Sequence, residues 1–304
     1  MSQIIPEIIH LLDKSKLIPF IGAGLSESCG CPSGQTLAQQ LLIRFQTGHE
    51  NITKDKDLDL LRLAEYLKIA GGDDISGVLS QIHGILNENS VDISKSEAHL
   101  LLAQLGVPII YTTNYDRLIE RSFEHLAIPY QTIVSTQDII ESAGSTTAQI
   151  VKFHGSLEQD ESIVLTESDY YERLEFVTPI DIKLRADALG KSLLFIGYSF
   201  SDFNVRYLWF KLRKMTKDIN ERNLPDSYIL LFEPDEITTT LLTNRGIVPI
   251  DLSTYNGMSK TEKLCSFLRE LVFAKGGCQG DGVVDNLRKR KTPQPKCCGA
   301  NWFP

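Results

Sequence analysis

The sequence predicts a doubly wound α/β fold, in which helices cover both faces of a parallel sheet and a helical insertion module interrupts the alternation. Short segments that are apolar at every position alternate with helical patterns, and strands buried on both faces are typical of parallel sheets. Several of these segments end in glycine or polar residues. In contrast, the stretch from residue 36 to about residue 88 has only helical patterns.

The first predicted unit is a helix followed by a buried strand. Apolar residues recur at helical spacing over residues 2–13, and the apolar run Leu17–Ile21 then ends at the turn Gly22-Ala23-Gly24-Leu25-Ser26. Glycines after a strand permit a tight turn and let the backbone approach a ligand, such as a pyrophosphate. The turn alone is a weak signal for a nucleotide, because small-residue turns follow strands in many α/β proteins.

A helical insertion is predicted at about residues 36–105, after which strands and helices alternate again. Five further strands are predicted from short apolar segments, at Val107–Thr112, Ile150–Phe153, Ser192–Ile196, Ser227–Phe232 and Gly246–Ile250. We expect one domain over residues 1–275. Residues 276–304 are dense in Gly, Pro, Cys and charge, which predicts a poorly ordered tail.

Composition argues against several classes of partner. The net charge of −8 is spread along the chain, so no basic field is present to hold nucleic acid directly. No apolar run approaches the roughly 20 residues that span a bilayer, and the first residues lack a secretory leader. We therefore expect a cytoplasmic protein without membrane anchorage. None of the six cysteines forms a CxxC pair, so no metal site is expected.

Polar side chains follow three of the later predicted strands. Thr113, Asn114 and Asp116 come after the second strand, His154 ends the third, and Gly197 with Ser199 follows the fourth. The carboxyl ends of parallel strands meet at one edge of a sheet, where ligands bind. Each residue also has a plainer interpretation. Asn114 is a suitable helix cap, and a lone histidine at a strand end is more often structural than a base.

Taken in order, these segments resemble the sirtuin superfamily. That family carries a Gly-Ala-Gly-x-Ser turn, a Thr-x-Asn-x-Asp segment and a His-Gly step. The chain matches them at Gly22–Ser26, Thr112–Asp116 and His154-Gly155, and Gly197–Asp202 is similar to the family's Gly-Thr-Ser region. The resemblance spans roughly the first 250 residues. It implies a Rossmann-like sheet that binds NAD.

The resemblance also implies a role for each matching residue. Asn114 and His154 would be catalytic, with His154 as the general base. The implied NAD-binding residues are Gly22, Ala23, Gly24, Ser26, Thr113, Asp116, Gly197 and Ser199. Of these, the first four would line the phosphates and a ribose, Asp116 would lie by the nicotinamide ribose together with Asn114, and the last two would approach the adenosine half.

Two departures from the family pattern bear on the activity. Protein-deacylating sirtuins carry two CxxC pairs between the His step and the later Gly-Ser step, whereas residues 155–197 contain no cysteine. Cys31–Gln35 also stands where deacylases have an acidic-Phe-Arg segment. No zinc ribbon is therefore expected. The chain instead resembles the divergent bacterial branch that hydrolyses NAD in antiphage defence, which implies a homo-oligomer and a possible separate partner protein, such as a ring-shaped DNA translocase.

The leading hypothesis is therefore an NAD hydrolase (NAD+ nucleosidase, or glycohydrolase) that cleaves the nicotinamide–ribose bond to give nicotinamide and ADP-ribose, with NAD as its substrate. An NAD-dependent protein deacylase or ADP-ribosyltransferase would use the same two residues, but its nicotinamide release would depend on an acceptor. A third alternative is a module that senses NAD or ADP-ribose without catalysis. It would bind a nucleotide and form no product.

Overall fold

The fold is built on a seven-stranded parallel sheet. The structure, a computed structural model, describes residues 4–45, 59–86, 90–198, 203–215 and 226–276. The strands are β1 (Leu17–Ile21), β2 (Ile109–Thr112), β3 (Tyr130–Ile133), β4 (Ala148–Lys152), β5 (Ser192–Ile196), β6 (Ser227–Leu231) and β7 (Ile247–Asp251). Their spatial order is β3-β4-β2-β1-β5-β6-β7, and all neighbouring pairs are parallel. This architecture confirms the predicted fold class.

Helices connect the strands and cover the sheet. In chain order they are α1 (Ile4–Asp13), α2 (Ala23–Glu27), α3 (Gly34–Phe45), α4 (Leu60–Ala70), α5 (Ser76–Leu86), α6 (Glu97–Gln104), α7 (Leu118–His125), α8 (Thr136–Glu141), α9 (Glu167–Arg173), α10 (Pro179–Ala188), α11 (Phe203–Met215), α12 (Glu236–Asn244) and α13 (Lys260–Gly276). None of the helices in the described ranges is long and apolar enough to cross a bilayer.

All six predicted strands are present, two with the predicted ends and four with ends that differ by at most two residues. The seventh, β3, was missed by the sequence analysis. It lies at the edge of the sheet, is only partly buried and has Gln131 and Thr132 at its centre. An edge strand needs no continuous apolar run, so the apolar signal that marks the other strands is absent here.

The two faces of the sheet have separate hydrophobic cores. In β1, Leu17 and Ile21 face a core with helices α1, α6, α7 and α13, whereas Ile18 and Phe20 face a core with α10, α11 and α12. Successive side chains of a strand point to opposite faces. All five residues of β1 are therefore buried, which explains why the strand is apolar at each position.

The helices of the predicted insertion pack into two different cores. Helices α3, α4 and α5 form a third hydrophobic core together with Leu157 and Leu165, from the segment after β4. Helix α6 instead packs on α7 and α13 within the first core. The separately packed helices therefore end at α5, before the predicted boundary near residue 105. From residue 277 onward, the predicted tail lies outside the described residues.

The order of the strands creates a topological switch point beside β1. From β1 the chain proceeds to β2 on one side, and from β5, the other neighbour of β1, it proceeds to β6 in the opposite direction. Ligands of open α/β sheets bind at such a switch point, outside the carboxyl ends of the strands. The turns that follow β1 and β5 begin at Gly22 and Gly197, so both lie at this edge.

Candidate active site

The first turn packs directly against the end of β5. The N–H groups of Gly22 and Gly24 donate to the carbonyl oxygens of Ile196 and Gly197, at 2.8 and 3.0 Å. A Cβ atom on Gly22 would lie 2.7 Å from the Gly197 oxygen, and one on Gly24 would lie 3.0 Å from the Gly197 Cα. These glycines therefore allow two backbone segments to meet, and two amides proposed for a pyrophosphate are already paired within the protein. Ala23, between them, is exposed.

Asn114 reaches across from the end of β2 to the first turn. Its backbone N–H donates to Thr112 Oγ1 at 3.0 Å, and its side-chain Nδ2 donates to the Gly22 carbonyl oxygen at 3.2 Å and to Ser26 Oγ at 3.0 Å. A carbonyl oxygen only accepts, so the orientation of the amide is determined. Asn114 Oδ1 is buried and has no partner among the described residues. Since buried amide oxygens are normally paired, it is available to a ligand or a water.

Neither Asn114 nor Asp116 is the cap of α7, because Arg117 occupies that position. Asp116 Oδ1 accepts a hydrogen bond from the backbone N–H of Leu118, the first residue of α7, at 3.0 Å. Asp116 is buried, and its backbone oxygen is also engaged. The role of Asp116 beside the nicotinamide ribose stays a prediction, whereas its local contact, to an N–H two residues further along the chain, is that of an Asx-type turn that leads into α7.

Tyr198 joins the ends of three strands and was not among the predicted site residues. Its hydroxyl donates to the Ile21 carbonyl oxygen at 3.1 Å, and it lies 2.8 Å from Thr113 Oγ1. Its ring packs against Phe20 at a centroid distance of 5.7 Å. Thr113 is thus held at the carboxyl edge of the sheet. Ser199, which follows Tyr198, lies outside the described residues.

His154 follows β4, the neighbour of β2. Thr112 and Lys152 are register partners, so Asn114 and His154 each lie two residues beyond a paired position at the same edge of the sheet. Their side chains nevertheless contact different neighbours. Asn114 contacts the first turn, whereas Nδ1 of His154 lies 3.2 Å from the hydroxyl of Tyr170. That the two side chains meet at one NAD molecule stays a prediction.

A small, partly open cavity lies beside His154. Its walls are mainly apolar, and Arg173 is the cation that lines it. The Arg173 guanidinium donates to the Phe153 carbonyl oxygen at 2.8 Å and to Asp181 Oδ1 at 2.5 Å, and it lies 4.4 Å from the centroid of the Phe153 ring. Sequence reasoning missed Tyr170 and Arg173, because both lie within α9 and outside any motif.

A buried ion pair supports the segment that carries Asn114. Lys152 Nζ lies 3.4 Å from Glu120 Oε1, and both side chains are excluded from solvent. The same ammonium group donates to the backbone oxygen of Asp116 at 2.5 Å. Lys152 therefore connects β4 and α7 to the loop that contains Asn114. Glu120 Oε2 is buried without a partner among the described residues.

Two buried histidines have lowered pKa values. Burial, together with the nearby Arg173 charge, lowers the pKa of His154 to about 3. Burial lowers the pKa of His99, in α6, to about 4, although the Asp116 charge acts in the opposite direction. Both imidazoles are therefore neutral at physiological pH, and a neutral imidazole is the form that accepts a proton.

Acidification is expected to destabilise the fold before the carboxylates titrate. Below a pH of about 6.5 the unfolded histidines take up protons and the folded ones do not, so the free energy of unfolding falls with falling pH. For His99 this loss extends from about pH 6.5 to about pH 4, with a limiting slope of about 1.4 kcal/mol per pH unit. Urea denaturation at several pH values in this window measures the slope.

The His99→Leu variant is expected to have a shallower slope than the wild type in the same pH window. His125, at the end of α7, is exposed, and His125→Gln provides the matched control that leaves the slope unchanged. An identical slope in His99→Leu and the wild type would exclude His99 as a source of the acid sensitivity.

The described residues contain no group of three or more His, Cys, Asp or Glu side chains that is placed to hold a metal ion. Three cysteines, Cys29, Cys31 and Cys265, lie in these ranges, and all are free thiols. The polar groups at the carboxyl edge of the sheet include amide, hydroxyl and imidazole groups and the carboxylate of Asp116. Such groups are suited to orienting the hydroxyls of a ribose or a water.

Comparison with known proteins agrees with this geometry. Residues 108–250 match the family model described as "SIR2-like domain". NAD(+) hydrolase ThsA of Cytobacillus dafuensis is 30% identical over 210 residues, which cover 69% of this chain and 40% of that protein. ThsA of Bacillus cereus (strain MSX-D12) is 29% identical over 244 residues, 78% of this chain and 49% of that protein. The chain thus spans less than half the length of these relatives.

More distant matches include Defense-associated sirtuin 2 of Bacillus subtilis, which is 24% identical over 305 residues, 96% of this chain and 29% of that protein. A solved structure of a Sir2 enzyme is 15% identical, with a TM-score of 0.43, and the match covers 90% of this chain and 98% of that one. The family match confirms the resemblance to sirtuins that the strand-end motifs indicated. Residues 108–250 are therefore similar to SIR2-like domains.

Proposed function

We propose that this chain hydrolyses NAD to nicotinamide and ADP-ribose. The observation that carries the proposal is the amide of Asn114, whose Nδ2 is anchored to the first turn by Gly22 and Ser26 and whose Oδ1 is buried and unpaired. This acceptor lies at the carboxyl edge of the sheet, beside the switch point at β1. The relatives named NAD(+) hydrolase support NAD as the substrate.

The reaction requires little acid catalysis. The nicotinamide ring of NAD is already cationic, so the bond from its nitrogen to the ribose C1′ breaks with the electron pair moving to the ring, and neutral nicotinamide leaves. Asn114 Oδ1 would orient a ribose hydroxyl or the attacking water. Water then forms the new bond to C1′, and its proton passes to the neutral imidazole of His154. The products are nicotinamide, ADP-ribose and one proton.

The biological setting forms part of the same proposal. The relatives include a protein named for defence, and the family resemblance implies NAD depletion in antiphage defence. We propose that the chain acts in the cytoplasm as a homo-oligomer, switched on by assembly or by a partner protein such as a ring-shaped DNA translocase. Size-exclusion chromatography with light scattering, in the presence and absence of NAD, measures the assembly state.

Incubation of the purified chain with NAD, without any acylated peptide, is expected to release nicotinamide and ADP-ribose in equal amounts. The experiment is run with the protein alone and with added cell lysate, and the products are separated by chromatography. His154→Ala is expected to lower the rate by ~10²–10⁴-fold, because water then has no base. His125→Ala, at an exposed position, serves as the matched control.

The outcome also separates the alternatives. Release of nicotinamide only when a protein acceptor is added would indicate a deacylase or an ADP-ribosyltransferase. Tight binding of NAD without any product, in every assembly state, would indicate a sensing module and would contradict the proposed hydrolysis.

A further inference from the structure

Helix α9 packs against the residue that we propose as the base. Its residues Tyr170 and Arg173 are three apart, so they lie on one face of the helix. Both contact the end of β4, since Tyr170 contacts His154 and Arg173 contacts Phe153. We propose that Tyr170 is a positioning residue that holds the His154 imidazole in one orientation with its proton on Nδ1. This inference rests on the proposed NAD hydrolysis.

Contacts on several sides hold His154 in place. Its backbone oxygen accepts a hydrogen bond from the Val164 N–H at 3.1 Å. Its ring meets the ring of Tyr170 edge to face, with centroids 5.2 Å apart and an interplanar angle of 68°. The hydrogen bond to the imidazole is made at Nδ1, 3.2 Å from the Tyr170 hydroxyl. Rotation of the ring would break this bond, so Tyr170 determines which nitrogen is paired within the protein.

The partner of Nδ1 decides which nitrogen is basic. A neutral imidazole carries one N–H and one lone pair. If the Tyr170 oxygen accepts the Nδ1 proton, the lone pair lies on Nε2 and is available to a water. If the hydroxyl donated to Nδ1 instead, Nε2 would carry the proton and would not act as a base. A base that acts through Nε2 therefore requires Tyr170 as an acceptor, as in other sites where a neighbour selects the histidine tautomer.

The neighbouring Arg173 favours a neutral His154 ring. Its guanidinium is held by Asp181 and by the Phe153 carbonyl oxygen, so its positive charge stays close to His154. A nearby cation disfavours the doubly protonated imidazolium. Only the two neutral tautomers then compete, and they differ in whether the Tyr170 oxygen accepts from Nδ1 or its hydroxyl donates to it.

The chain offers a matched pair of tyrosines for the test. Tyr170→Phe removes the hydroxyl and keeps the ring contact, while Tyr171→Phe makes the same change at the next residue, which is 62% exposed. With purified protein and NAD, we expect Tyr170→Phe to lower kcat roughly 10-fold or more, with KM changed less than about twofold. Tyr171→Phe is expected to match the wild type. A Tyr170→Phe variant with wild-type kcat would overturn the proposal.

A second measurement needs no NAD. In protein labelled with ¹⁵N-histidine, the His154 signals are assigned by their loss in His154→Gln. We expect the wild type to carry the proton on Nδ1, Tyr170→Phe to shift the population toward Nε2, and Tyr170→Gln, which retains an acceptor, to restore Nδ1. The inference would be contradicted if the wild-type His154 carried its proton on Nε2. It would also be contradicted if the His154 signals of Tyr170→Phe were the same as those of the wild type. Absence of nicotinamide release from the wild type would contradict the proposed hydrolysis, while the spectra still decide the tautomer.

Discussion

Replacing Asn114 with alanine is expected to lower the rate of nicotinamide release on the order of 100-fold or more, because the group that orients the reactants is lost. The variant is also expected to lose about 1–2 kcal/mol of unfolding free energy, because the hydrogen bonds that Nδ2 donates to the Gly22 carbonyl oxygen and to Ser26 Oγ are lost. Chromatography of the products measures the first effect, and urea denaturation measures the second. The two effects together distinguish a catalytic amide from a purely structural one.

Gln149 provides a matched control for Asn114. It lies near the start of β4, away from the carboxyl edge, and its Oε1 is also buried without a partner among the described residues. Gln149→Leu removes a buried amide without changing the first turn, so the rate is expected to remain that of the wild type. If Asn114→Ala retained full activity, or if Gln149→Leu lost as much activity as Asn114→Ala, the role of Asn114 in the reaction would be refuted.

Replacing Lys152 with methionine is expected to reduce the free energy of unfolding by about 3–5 kcal/mol, because a buried carboxylate loses its partner. Glu120 would remain enclosed without the ammonium group, and the backbone oxygen of Asp116 would lose its donor. The same loop carries Asn114, so nicotinamide release is expected to fall as well. Urea denaturation at pH 7 measures the loss of stability.

The double variant Lys152→Met/Glu120→Leu tests whether the unpaired Glu120 carboxylate causes the loss of stability. An ion pair replaced by apolar residues of similar volume often costs little, so the double variant should recover much of the stability lost in Lys152→Met. Lys95→Met provides the control, because it removes one partner of an exposed pair with Asp92, and its unfolding free energy should remain close to that of the wild type. No recovery in the double variant would mean that Lys152 stabilises the fold by other contacts.

Parts of the candidate site were accessible to sequence reasoning because they lie immediately after strands. The glycine turn, Asn114 and His154 each follow an apolar run, and the structure places all of them at the carboxyl edge of the sheet. The partners of these residues were not accessible. Tyr170 and Arg173 contact the end of β4 from a helix whose sequence has no motif, and neither contact follows from the spacing of residues.

Two interpretations made from single residues changed once neighbours were known. Asn114 was considered as a helix cap, and its side chain instead contacts the first turn, because the direction in which a loop side chain points depends on the elements around it. The glycines at positions 22 and 24 were interpreted as allowing the backbone to approach a ligand, and the structure adds that they let the turn after β1 approach the end of β5. Close approach to a ligand and close approach to a neighbouring strand require the same residue.

By itself, the sequence determined the class of fold, six of the seven strands and the strand ends that carry polar side chains. Strands buried on both faces and tight turns each produce a pattern in consecutive residues. Both can therefore be predicted from the sequence alone. Only the tertiary structure decided the edge strand β3, the core to which α6 belongs, the pairing of Lys152 with Glu120 and the contact of Tyr170 with His154. These depend on residues far apart in the chain, whose proximity arises only when the sheet and its helices pack together.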